Sequence, residues 1–135
     1  MLARHLRYLQ KKYWRSRFSV NFPRMRPSES GFQPVSIISD RQLARLTAAF
    51  RIFDHEADIS FSTREAPEYR RHIMPLGVTS MSAGSRTEPG GYAVYRDKAL
   101  EQFEVSDGRE PADVARQIRE AGFEPVWKDW DKIFD

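Results

Sequence analysis

Apolar residues recur along this chain in two alternating rhythms, one helical and one extended. Leu2, Leu6, Leu9 and Tyr13 fall at helical spacing, so residues 2–15 are expected to form one amphipathic helix. Phe18, Val20 and Phe22 then alternate with polar positions, the period of a strand, and Pro23 stops it. A loop rich in Pro, Ser and Gly runs from Arg24 to Ser39. Ser39 or Asp40 offers an N-cap to a second helix, whose buried stripe is marked by Leu43, Leu46, Phe50 and Phe53. A short strand follows at Ile59-Ser60-Phe61. Next comes a helix from Pro67 to Gly77, with Ser62 or Thr63 in position to cap it. The run Val78-Thr79-Ser80-Met81 reads as another strand, and a long Gly-rich loop extends from it to about Asp97. The last helix starts near Pro111, turns Val114 and Ile118 inward and ends at Gly122. The tail from Glu124 to Asp131 is rich in tryptophan and is expected to pack back on the fold.

The order is therefore one helix and then three strand–helix steps. Parallel strands connected this way are covered by helices or closed into a barrel. A complete (β/α) barrel takes about 250 residues, and this chain has 135. An open half would leave two apolar edges. The expected fold class is α/β, a partial (β/α) barrel, with residues 1–135 as a single domain.

Two of the predicted strands run directly into clusters of serine, arginine and glycine. The first cluster is Ser62-Thr63-Arg64-Glu65. The second runs from Ser82-Ala83-Gly84-Ser85-Arg86 through Gly90-Gly91-Tyr92. Ligands of α/β folds sit at the carboxyl ends of parallel strands. The pattern points to a binding site built from neighbouring strand ends, with arginines turned toward something anionic. The glycine spacing is not that of a dinucleotide fingerprint.

Composition narrows the chemistry. No cysteine is present, so the chain itself can form no disulfide, thiolate nucleophile or thiolate metal site. His5, His55 and His72 are far apart and lack ligand spacing, and Met25, Met74 and Met81 read as packing residues. No apolar run approaches the length of about 18 residues that a membrane span needs, and residues 1–19 lack the apolar centre of a signal peptide. The expected location is cytoplasmic. The net charge of +3 is unevenly placed, because residues 1–28 carry eight Lys or Arg and no Asp or Glu. Interleaved with Tyr8, Tyr13, Trp14 and Phe18, that arm supports an alternative reading, a non-enzymatic module binding RNA or a partner protein. The plainer reading is a surface helix with acidic partners nearby, which leaves no expected nucleic-acid or membrane partner.

Several segments, taken in order, resemble the C-terminal half of the 2-iminoacetate synthase family, the radical SAM tyrosine lyases of thiamine biosynthesis. They include Arg7-Tyr8-Leu9-Gln10, Val20-Asn21-Phe22-Pro23-Arg24-Met25-Arg26-Pro27 and Ser60-Phe61-Ser62-Thr63-Arg64-Glu65. Further on come Met81-Ser82-Ala83-Gly84-Ser85, Pro89-Gly90-Gly91-Tyr92, Glu101-Gln102-Phe103 and Val126-Trp127-Lys128-Asp129-Trp130-Asp131. The same stretch is shared with biotin synthase and the tyrosine lyase of hydrogenase maturation, the biotin and thiamin synthesis associated region. The resemblance implies a radical SAM barrel that binds a [4Fe–4S] cluster through CxxxCxxC and cleaves S-adenosylmethionine. It then breaks the Cα–Cβ bond of L-tyrosine to give dehydroglycine and p-cresol. That cluster motif belongs to the N-terminal half of the barrel and is not in this chain. The lone chain is therefore expected to be inactive, with the missing half-barrel as its partner and the pathway's thiazole synthase as a further one.

The resemblance also assigns roles at the strand ends. Arg64 is the expected clamp on the tyrosine carboxylate, because a guanidinium fork meets a carboxylate with two parallel charge-assisted hydrogen bonds. Its bland alternative is a surface ion pair with Glu65 or Glu68. Ser82 and Ser85 are expected to hydrogen-bond the substrate, against a reading as loop caps, and Arg86 is a further anion contact. Arg24 is the expected contact to S-adenosylmethionine, with Arg26 able to serve equally. No catalytic or metal-binding residue is expected in the chain.

Overall fold

The structure, a computed structural model, describes residues 1–25, 34–86 and 105–127. Its elements, in chain order, are α1 (Leu2–Lys12), β1 (Ser19–Asn21), α2 (Asp40–Phe53), β2 (Asp58–Phe61), α3 (Pro67–Ile73), β3 (Ser80–Met81) and α4 (Pro111–Glu120). The strands form one sheet in the order β1-β2-β3, and both pairings are parallel. The α/β class and the succession of strand–helix steps are as the sequence implies. The described residues form this three-stranded sheet with its helices and do not close a barrel.

One face of the sheet carries the core. Val20 lies beside Ile59 in register, and Phe61 lies beside Met81. Leu6 of α1, Leu43 and Phe50 of α2, and Tyr69 and Ile73 of α3 pack onto that face in a single cluster. Phe22 meets Phe50 edge-to-face at 5.3 Å between ring centroids, a geometry favoured by the ring quadrupoles.

Several element ends differ from expectation, each for a local reason. The helix α1 stops at Lys12, because Tyr13 takes φ −123° and closes the turn on the Leu9 carbonyl. Of its four stripe residues Leu6 is buried, whereas Leu2 and Tyr13 are exposed. In α2, Leu46 and Phe53 are exposed and Thr47 takes the inward place. Its hydroxyl is satisfied by the Leu43 carbonyl at 3.0 Å, so a polar residue is tolerated in the core. Ser39 caps α2 as expected, in a reciprocal box with Gln42.

The N-cap of α3 is Ala66, which makes no side-chain bond, so neither Ser62 nor Thr63 caps it. The α-helix ends at Ile73 and tightens into a 3₁₀ turn, Met74–Leu76, before Gly77. The third strand pairs over Ser80–Met81, while Thr79 already donates its N–H to the Ile59 carbonyl. In α4, Val114 and Ala115 are buried and Ile118 is half-buried. Met74 is buried, but Met25 is exposed rather than packed. Val126 and Trp127 are also exposed, so the described part of the tail does not pack back; residues 128–131 lie outside the described residues. So do Arg26 and the Gly90-Gly91 part of the long loop. Among the described residues no helix is long and apolar enough to cross a membrane.

Candidate functional site at the strand ends

The carboxyl ends of all three strands are tied together by two ion clusters on either side of Arg64. The first lies at the end of β1. Arg24 donates Nε to Glu65 Oε1 at 3.1 Å, and its Nη2 bonds the second carboxylate oxygen. Its Nη1 reaches Asp40 Oδ1 at 2.5 Å and the Ile38 carbonyl at 3.2 Å. The guanidinium also lies over the Tyr69 ring, 4.9 Å from the centroid. Hydrogen bonding to Glu65 is the main cause raising the Arg24 pKa above the ordinary arginine value. Burial is the main cause pushing the Tyr69 hydroxyl up to about 12.

The second cluster was not legible in the sequence. Arg70 and Asp107 are both 0% exposed and form a buried pair between α3 and the segment leading to α4. The other terminal nitrogen of Arg70 donates to the Ser82 carbonyl. Asp107 accepts from Arg109 Nε at 2.8 Å and Nη2 at 2.7 Å, and its own N–H donates to the Thr63 carbonyl at 2.9 Å. Gly84 then donates to the Arg109 carbonyl at 3.3 Å. Burial works to raise the Asp107 pKa, but the hydrogen bonds from Arg109 and the charge of Arg70 hold it below the usual carboxylate range. Burial pulls Arg70 below its ordinary value against the attraction of Asp107. Arg70 Nε has no hydrogen-bond partner among the described residues. Arg70 and Asp107 lie 37 positions apart in sequence, and no local spacing announces such a pair.

Together the clusters fix the tip Thr63-Arg64-Glu65 from both sides: Thr63 through Asp107, Glu65 through Arg24. Arg64 is half-buried in the turn between them. Ser82 continues the ladder beyond β3, donating its N–H to the Phe61 carbonyl at 3.0 Å, and is exposed. Ser85 and Arg86 follow it, both half-buried. The structure thus brings Arg64 and Ser82 to adjacent strand ends, with Arg24 on the far side of Glu65. The guanidinium of Arg24 is largely engaged by the carboxylates of Glu65 and Asp40.

The face of the sheet away from the core is polar. Ser19 and Asn21 of β1, Asp58 and Ser60 of β2, and Ser80 of β3 occupy the positions alternating with the buried ones. Arg17 pairs with Asp58 at 3.6 Å toward the amino ends of the strands. A cavity of about 780 Å³ opens along β3 toward α4, lined by Ser19, Asp58 and Ser80 on one side and by Val114, Ile118 and Trp127 on the other. Of the basic arm, Arg7 donates to the Phe53 carbonyl at 2.9 Å, while Lys12 and Arg15 lie over exposed aromatic rings of the same segment.

The fold is an α/β domain of the parallel-strand type, with polar and charged residues gathered at its strand ends. The chain belongs to the Biotin and Thiamin Synthesis associated domain family, whose match covers residues 21–124. It is 47% identical to the 2-iminoacetate synthase of Salmonella typhimurium strain LT2 over 131 residues, 97% of this chain and 34% of that protein. The 2-iminoacetate synthase of Escherichia coli K12 is 48% identical over the same shares. The chain therefore spans about a third of the length of these curated relatives. Among solved structures, a crystal structure of HydG, a maturase of the [FeFe]-hydrogenase, superposes with a TM-score of 0.77 at 31% identity. That match covers 92% of this chain and 27% of HydG. The HydG of Carboxydothermus hydrogenoformans gives 0.76 at 33%, over 90% and 28%.

Proposed function

We propose that this chain is the substrate-gripping C-terminal half-barrel of a radical SAM tyrosine lyase of the 2-iminoacetate synthase type, which makes dehydroglycine and p-cresol for the thiamine thiazole. The observation that carries the reading is the polar face of the sheet. Parallel sheets are normally apolar on both faces because helices cover them. Here one face is apolar and packed, while the other presents serine, asparagine and aspartate in rows leading to Arg64 and Ser82. A polar inner face is what a barrel with a hydrated ligand cavity requires. The similarity to 2-iminoacetate synthases over 97% of the chain supports the same reading.

In this reading Arg64 grips the tyrosine carboxylate through paired hydrogen bonds, and Ser82 adds a hydroxyl from the neighbouring strand end. Ser85 and Arg86 extend the polar rim. The two ion clusters hold these groups still, and a fixed carboxylate fixes the Cα–Cβ bond relative to an attacking radical.

The family's cluster and S-adenosylmethionine supply that radical. With no cysteine in its sequence, this chain does not fit the cluster, so the cluster and every step through it belong to other residues. Arg24 has one N–H beyond its bonds to Glu65, Asp40 and Ile38 to offer to the cofactor's ribose or carboxylate. Its larger effect is to orient Glu65 beside Arg64. The remaining half-barrel is the structural partner, and the thiazole synthase is the recipient of the product.

Anaerobic reconstitution with iron and sulfide tests the proposal. The chain alone should form no p-cresol from L-tyrosine. Mixed with the cysteine-bearing half of a 2-iminoacetate synthase it should form product, and Arg64→Ala should reduce the yield at least about tenfold, as expected for losing a charge-assisted pair. Product from the lone chain, or an Arg64→Ala chain as active as the parent, would overturn it.

A further inference from the structure

We propose that Asn21, Ser60 and Ser80 form a hydrogen-bonding row that reads the phenolic hydroxyl of an aromatic amino acid. The inference rests on the reading of Arg64 and Ser82 as the carboxylate grip, and it supplies the other end of the ligand. The three residues are register partners, Asn21 beside Ser60 and Ser60 beside Ser80, so they form one straight row across the sheet. All three sit on the face away from the core; Asn21 and Ser80 are exposed and Ser60 is half-buried. Ser80 also lines the cavity along β3.

Spacing then assigns the ligand group. Ser82, which continues the ladder, lies two residues beyond Ser80, a rise of about 6.6 Å along extended chain. An extended tyrosine measures about 7 Å from its carboxylate carbon to its phenolic oxygen, from standard bond lengths. A carboxylate held at the Ser82 level by Arg64 therefore places the hydroxyl at the Asn21–Ser60–Ser80 row. The row is neutral and can both donate and accept, which suits a phenol. One layer further down, the Arg17–Asp58 pair replaces neutral groups with charges. A site built to hydrogen-bond a hydroxyl rejects an analogue without it, because its own polar groups are then left unpaired.

The experiment titrates the full chain with L-tyrosine and with L-phenylalanine at millimolar concentration, following backbone amide resonances. The parent is expected to bind tyrosine at least tenfold more tightly than phenylalanine. The variant Asn21→Ala, Ser60→Ala, Ser80→Ala, with its amide dispersion retained, should bind both amino acids with the parent's phenylalanine affinity. Arg64→Ala should weaken both alike. A parent without preference, or a triple variant that keeps the preference, overturns the row while leaving the carboxylate grip standing. An Arg64→Ala chain that binds both like the parent removes the grip and, with it, the spacing that assigns the row to the phenol. A parent that binds neither amino acid removes the site reading and the row together.

Discussion

Gly77 shows how one residue settles a path that its neighbours exploit. It takes φ +98° at the end of the 3₁₀ turn, a conformation open to glycine and strained for any residue with a Cβ. A Cβ there would also lie 2.8 Å from Arg51 Cγ. Arg51 cannot move away cheaply, since its guanidinium donates to the carbonyls of Gly77, His55 and Ala57, joining the end of α2 to the start of β3. Gly77→Ala should therefore lose at least about 1 kcal/mol of stability, the cost of left-handed backbone in an L-residue, in a urea unfolding curve with an unchanged slope. The same scale separates two arginines that look alike in sequence. Arg24 is turned inward onto Glu65 and Asp40, whereas Arg64 occupies the tip between the two clusters. No composition or spacing could tell them apart, because the deciding partners lie 16 and 41 positions away.

Among the elements, α2 is the one whose start the sequence specified best. Ser39 and Gln42 bond reciprocally, the side chain of each taking a backbone N–H of the other. Replacing Ser39 by alanine should cost about 1 kcal/mol, read as a lower midpoint of thermal unfolding; an unchanged midpoint would show that packing alone holds the start of α2. The buried stripe of α2 was less legible, since Thr47 displaces Leu46 from the core by satisfying its hydroxyl within the helix. The strands behave in the opposite way. Their alternation was readable at Phe18, Val20 and Phe22, and again around Ile59 and Phe61. The partner of each strand was not readable, because register depends on residues far along the chain.

At the scale of the whole molecule, two buried carboxylates link distant elements and make stability depend on acid. Asp54 accepts from Gln10 at 2.6 Å, tying α1 to the end of α2, and from the amides of Glu56 and Ala57. Burial works to raise its pKa, yet these hydrogen bonds carry it below the ordinary value, as happens for Asp107. A carboxylate depressed in the folded state adds stability that is complete above its unfolded value, near about 4, and is lost as pH falls through the folded value. Stability should thus be flat from neutral pH down to about 5 and fall below about 4. Asp54→Asn should be less stable at pH 7 and show a shallower acid dependence. An acid profile identical to the parent's would mean that Asp54 carries no such linkage.

The amino-acid sequence alone determined the element types, the strand–helix order and the family, because hydrophobic period, capping residues and ordered motifs are local properties. It also excluded thiolate cluster ligands from this chain, since it contains no cysteine. The tertiary structure decided that Arg24 turns onto Glu65 and Asp40, where the buried Arg70–Asp107 pair forms, and which polar residues share a row. Those outcomes depend on parallel register and on desolvation of charges far apart in the chain, and both exist only once the strands and helices have met.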